Sequence, residues 1–210
     1  MIASFPRLGG AVAAIGSLIW LAWFLANGID GPARSTAPMA GVMDLGLIAL
    51  FGVQHSAMAR RAARPLYVWA SAAALSALCL LWQPIPDLLW QLPRAALLFQ
   101  AAGIAIAVYA VKVMRPLELI GLKQGAAAAF ATPSIYNYIR HPIYAGFLLA
   151  IWATPRVSIG RLLFNVAFTA YVLIGIHFEE RGLVREFGEG YRDYQRRVPM
   201  LIGFTKRPPA

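Results

Sequence analysis

Apolar residues fall in long blocks along this chain and do not alternate. Four blocks come first, at residues 8–26, 40–58, 66–82 and 95–114. A helix rises about 1.5 Å per residue, so about 20 residues cross about 30 Å of hydrocarbon. Each block fits that length or nearly fits it, the third being short. Gly31-Pro32, Pro65, Pro84-Ile85-Pro86 and Pro93 punctuate the gaps. After Pro142 an apolar run reaches Ala153, and Thr154-Pro155-Arg156 interrupts it. Residues 157–178 are again long enough to cross. This pattern predicts a helical hairpin with one short arm, whose Gly146 and Ala150 offer a smooth face for close helix packing. No β pattern and no internal repeat is visible. The block that follows Arg7 is longer than the apolar core of a usual signal peptide and has no clear small-residue cleavage site after it, so it reads as a retained helix.

Beyond residue 178 the period persists but the character changes. Val184, Phe187, Tyr191, Tyr194 and Val198 step by 3, 4, 3 and 4, which is one helical face. Arg181, Arg185, Arg192 and Arg196 fall largely elsewhere, and Gly188 with Gly190 is expected to break the helix once. Such a tail is either an amphipathic helix on lipid headgroups or a lid over a pocket at that membrane face. Composition agrees with the block pattern: 60% of the 210 residues are hydrophobic, only 13% are charged, and mean hydropathy is +0.62. A soluble domain is nearer a quarter charged. The expected fold is all-α: a polytopic integral membrane helical bundle with a C-terminal helical hairpin and an amphipathic cytoplasmic tail. Residues 1–210 form a single membrane domain in this reading, with four transmembrane helices in 1–115 and a loop, the hairpin and the tail in 116–210.

The net charge of +10 would suggest nucleic acid for a soluble protein. Here the basic residues lie in loops and tail, where they set orientation and meet anionic lipid. With a cytoplasmic N-terminus, Arg34, Arg94, Arg156 and Arg161 fall outside and the remaining 15 of the 19 lysines and arginines fall inside. That asymmetry places both termini in the cytoplasm. Cys79 stands alone in an apolar run, so it makes no intramolecular disulfide and no thiolate metal site.

Polar chemistry concentrates at a few points. Tyr136, Tyr138, Arg140, His141 and Tyr144 crowd the boundary where the chain enters the hairpin. Pro142 suits a first helical turn, which places Arg140 and His141 at a helix start, where free N–H groups and the helix dipole favour an anion. Glu179 and Glu180 close the last membrane helix at the same level. His55 sits near the cytoplasmic end of the second block, and Asp44 lies eleven residues earlier on nearly the same face. An ionisable group inside a membrane helix tends to face the bundle interior or water. His177 and Glu180 are one turn apart, but a metal site would need further ligands, and none is assigned.

Taken together, Arg140-His141-Pro142-x-Tyr144-x-Gly146, the hairpin, and then Glu179-Glu180, Leu183, Phe187-Gly188, Tyr191, Tyr194 and Val198-Pro199 resemble the isoprenylcysteine carboxyl methyltransferase and phospholipid methyltransferase group. Gln54-His55-Ser56-x-Met58, Gly121-Leu122-Lys123-Gln124 and residues 136–146 resemble the bacterial methanethiol S-methyltransferases within it; the NnrU-like membrane proteins share the His-Ser feature more loosely. Met114-Arg115-Pro116-Leu117-Glu118 departs from the more aromatic stretch expected there. The resemblance implies an S-adenosylmethionine pocket open to the cytosol in a bacterial inner membrane. His55, as an imidazole that titrates near neutrality, is the candidate catalytic base and Glu180 a weaker one, and Arg140 is counted with the cofactor contacts. The resemblance implies Tyr136, His141, Tyr144 and Glu179 as cofactor contacts and a small thiol as acceptor. A lipidated carboxylate, a phospholipid amine, or a non-catalytic role on the same fold are the alternatives it leaves open.

Overall fold

The computed structural model describes residues 5–61, 63–114 and 132–203. Gly121 to Gln124, the departing stretch after Met114, and the alanine-rich residues before Thr132 lie outside them. Among the described residues seven α-helices account for nearly all regular structure: α1 (Phe5–Trp23), α2 (Ala37–Arg61), α3 (Arg64–Leu81), α4 (Ala96–Val113), α5 (Pro142–Trp152), α6 (Ile159–Phe187) and α7 (Glu189–Arg197). The all-α expectation holds. Five of them are long and apolar enough to cross a membrane; α5 is apolar but short, and α7 is short and charged. Large side chains such as Val12, Ile19, Val42, Leu98 and Ile174 are exposed, whereas Ser17, Asp44 and Asn165 are buried. That inversion marks an integral membrane protein, because hydrocarbon rather than water covers the outer faces.

The chain divides into two compact units. The first holds α1, α2, α3 and the start of α6. Trp82 ends α3 in an extended conformation just before Pro84, and its ring meets Phe24 and Phe164 edge-on. Here the structure corrects the absence of β pattern. Leu88–Gln91 (β1) pairs antiparallel with Arg156–Ser158 (β2), with Trp90 opposite Val157. Strands this short leave no readable alternation. The end of α1 also differs from a plain helix. Residues 24–28 form a π turn closed by Ile29 N–H donating to the Phe24 carbonyl at 2.9 Å. Beside it Arg161, almost wholly buried, donates from Nη2 to the Leu25 carbonyl at 2.8 Å and to Asp30 Oδ2 at 2.6 Å. The Ser158 hydroxyl donates to the other Asp30 oxygen. The buried guanidinium is tolerable because the partly buried Asp30 supplies its counter-charge and its donors are hydrogen-bonded.

The second unit holds α4, α5, the rest of α6 and α7. The smooth face expected on α5 lies against α4. A Cβ on Gly103 would stand 2.6 Å from the Gly146 carbonyl and the Ala150 nitrogen, and one on Gly146 would stand 2.5 Å from the Gly103 carbonyl. The two backbones are in contact through their glycines, which is how small residues let helices associate where lipid competes for every apolar side chain. Gln100 Nε2 adds a bond to the Ala150 carbonyl at 3.1 Å. The predicted break after α6 falls at Gly188, at φ +58° and ψ −132°, a conformation that suits only glycine.

Candidate functional site

The polar stretch at the hairpin entrance folds back on itself before α5 begins. Residues Ser134–Asn137 make one 3₁₀ turn, stabilised by Thr132 Oγ1 donating to Asn137 Oδ1 at 2.8 Å. Tyr136 is buried in that turn. Its hydroxyl points at the Ala110 carbonyl, 3.5 Å away, and its own carbonyl accepts the Tyr194 hydroxyl. Burial, helped by the Glu179 carboxylate, pushes the Tyr136 phenol up to about 12. The expected placement of Pro142 in the first turn of α5 is correct, with His141 as the residue before it. The backbone N–H groups of Arg140 and His141 are not open to an anion, however. They donate to the carbonyls of Pro199 and Met200, at 3.0 and 3.1 Å. The segment after α7 closes down on this stretch through these two bonds.

Glu180 is the node of the cluster. Its Oε1 accepts Arg140 Nε at 2.7 Å and His141 Nε2 at 3.0 Å, and its Oε2 accepts Gln195 Nε2 at 2.8 Å. Arg140 Nη1 also donates to the carbonyls of Gln195 and Val198. Only 11% of the Arg140 side chain and 14% of that of Glu180 are exposed. One turn along α5, the Tyr144 ring stacks on the His141 imidazole with centroids 5.7 Å apart at 26°. The Tyr144 hydroxyl donates to Glu179 Oε2 at 3.1 Å, and Glu179 is exposed. Five of the seven expected residues, Arg140, His141, Tyr144, Glu179 and Glu180, thus touch one another in a chain, with Tyr136 behind them.

The tail supplies what sequence reading did not assign to the site. Tyr191, Tyr194 and Val198 are buried together with Leu183, Val184 and Phe187 against them, so the predicted apolar face of the tail packs on its own unit. Burial raises the phenols of both Tyr191 and Tyr194, the charge of Glu180 adding to the rise at Tyr191 and Arg140 opposing it at Tyr194. Gln195, one turn beyond Tyr191, carried no signal except its place directly after Tyr194.

His55 lies in the first unit. Tyr67 of α3 reaches His55 Nε2 at 2.8 Å, and the imidazole packs against Phe51 and Tyr67 with centroids 5.3 and 5.1 Å away. The Arg64 guanidinium stands over the Tyr67 ring at 5.1 Å. Asp44 is fully buried on the same helix and accepts the Gln83 N–H at 2.8 Å.

No protein-family profile matches the chain, and no solved structure matches it. Curated sequences do. A methanethiol S-methyltransferase of Pseudomonas deceptionensis is 38% identical over 208 residues, covering 86% of this chain and 79% of that protein. The chain belongs to the methanethiol S-methyltransferase family. A second member, methanethiol S-methyltransferase of Mycobacterium tuberculosis, is 33% identical and covers 85% of this chain and 84% of its own length. Nurim of Pan troglodytes is similar at 27% identity, over 87% of this chain and 79% of that protein. Family membership makes the cluster on α5 and α6 the natural place to look for the groups that hold a methyl donor. The residues suit one. Glu179 offers an exposed carboxylate for a hydroxyl or an ammonium. The stacked His141 and Tyr144 rings offer an aromatic face, which attracts a cation such as a sulfonium.

Proposed function

We propose that this protein is an S-adenosylmethionine-dependent methyltransferase that acts on a small thiol, with methanethiol converted to dimethyl sulfide as the leading case. The observation that carries the reading is the extent of similarity to named methanethiol S-methyltransferases across most of both chains. The cluster of Arg140, His141, Tyr144, Glu179 and Glu180 agrees with it. In this proposal the protein sits in a bacterial inner membrane as a single membrane domain, with the cluster and both termini on the cytoplasmic side. The asymmetry of lysine and arginine supports that orientation.

The methyl donor, when bound, supplies an electrophilic methyl group on a positively charged sulfur. Glu179 and Tyr144 hold it, on a wall that Tyr136, Arg140 and His141 build. Arg140 acts through position, since its Nε and Nη1 donors are taken by Glu180 and two carbonyls. Glu180 keeps that wall in register, and its three close donors leave it a weak base. A small alkyl thiol is mostly protonated at neutral pH, since even the cysteine thiol has a pKa near ~8.5. Its S–H proton would have to leave as the new C–S bond forms and the bond from that methyl carbon to the donor sulfur breaks, leaving the donor a neutral thioether. His55 is the proposed acceptor of that proton, because imidazole titrates near neutrality. In the tautomer whose Nε2 donates to the Tyr67 oxygen, Nδ1 keeps the lone pair a base requires.

The test is direct. Full-length protein incubated with methanethiol and S-adenosylmethionine is assayed for dimethyl sulfide by gas chromatography, with labelled cofactor binding measured in parallel. Dimethyl sulfide formation bears out the reading. Cofactor binding without product moves the acceptor to another class, and absence of cofactor binding overturns the enzyme reading.

A further inference from the structure

The second unit contains a cavity of about 350 Å³ between the end of α6 and α7, lined by His177, Glu180, Arg181, Val184, Arg185 and Gln195. None of the five proposed cofactor contacts lines it. His177, Arg181 and Arg185 are spaced i, i+4 and i+8, so they form one row along α6. Glu180 contributes the only acid, and its charge is matched by Arg140.

The arginines of the hairpin entrance, α6 and α7 divide into two kinds. Arg192 and Arg196 pair with Glu189, Arg196 and Arg197 pair with Asp193, and Arg140 pairs with Glu180. Arg181 and Arg185 make no ion pair among the described residues. Two adjacent guanidiniums that share a cavity and have no counter-charge among the described residues form an oxyanion receptor, with forked donors matched to phosphate. The level is informative too. Helix α6 has 29 residues, about 43 Å at 1.5 Å each. Hydrocarbon is about 30 Å deep, so the last third of the helix stands among lipid headgroups. Basic pockets at that level suit anionic lipid.

We propose that this cavity binds the phosphate of an anionic membrane lipid, held by Arg181 and Arg185. The proposal does not rest on methyl transfer. Full-length protein in neutral detergent is titrated with dioleoylphosphatidylglycerol, with dioleoylphosphatidylcholine, and with inorganic phosphate, while thermal unfolding and lipid retention by native mass spectrometry are followed. The expected result is a rise in melting temperature with phosphatidylglycerol and none with phosphatidylcholine. Arg181→Gln/Arg185→Gln is expected to weaken the phosphatidylglycerol response about 30-fold. Arg192→Gln/Arg196→Gln, which removes the same charge from α7, is expected to keep it. Both pairs are exposed, so both variants fold. An equal response to inorganic phosphate assigns the site to free phosphate and overturns the lipid as its source. A response that survives in Arg181→Gln/Arg185→Gln, or falls equally in the control, overturns the site. So does no response in the wild type.

Discussion

At the scale of single residues, Glu180 does more for this unit than its position at a helix end suggests. Its two oxygens tie α6 to α7 and to the stretch before α5 through Arg140, His141 and Gln195. Removing it leaves a mostly buried guanidinium without a counter-charge. Glu180→Ala is therefore expected to cost about 3 kcal/mol of stability, read as a lowered midpoint of thermal unfolding in detergent, and to abolish cofactor binding. Glu180→Gln keeps the acceptor for Arg140 but not the charge, and should fall between the two. His55 gives the opposite signature. His55→Ala is expected to lose turnover by 10²-fold or more with labelled cofactor binding intact, and turnover near wild type would remove His55 as the base. Tyr67→Phe tests the tautomer. It should lower turnover less than His55→Ala and displace the pH profile of the rate.

At the scale of elements, the crossing of α4 and α5 is the tightest contact that can be tested simply. Gly103→Ala or Gly146→Ala places a methyl group 2.5–2.6 Å from backbone atoms that cannot turn aside. Each is expected to destabilise by about 1–3 kcal/mol, as overpacking does. Gly175→Ala, on α6 with nothing within 4 Å of the added carbon, should be neutral or gain up to about 1 kcal/mol from helix propensity. Elements of this kind were readable in advance. Twenty apolar residues bounded by Gly and Pro admit one reading in lipid, and Gly146 with Ala150 announced a close helix contact. The strands β1 and β2 and the π turn were not readable. Three or four residues carry too few alternations, and one extra residue in a turn leaves no mark in composition. The site divides similarly. Tyr136, Arg140, His141, Tyr144, Glu179 and Glu180 stood out because charge and aromatic hydroxyls are costly at a membrane boundary. The Pro199 and Met200 carbonyls, which take the N–H groups of Arg140 and His141, have no side-chain signature at all.

At the scale of the whole molecule, alkaline pH is a sensitive probe of the tail's attachment. Tyr136, Tyr191 and Tyr194 are all held protonated by burial. An ordinary tyrosine titrates near 10. The folded chain thus keeps protons that the unfolded chain releases above pH 10, and stability falls as pH rises from there through the folded values. The melting temperature should be insensitive to these groups below pH 9 and drop above pH 10. Tyr194→Phe should start lower, having lost its bond to the Tyr136 carbonyl, and should fall less steeply. The first unit has a different consequence built into it, one of order in time. Asp30 and Arg161 are 131 residues apart in the chain. A chain made and inserted from its N-terminus carries the acid for 131 residues before the guanidinium that neutralises it exists. Until then the turn at residues 24–28 has no clamp from Arg161. The end of the first helix, although among the first parts made, gains that clamp only once the start of α6 has been made.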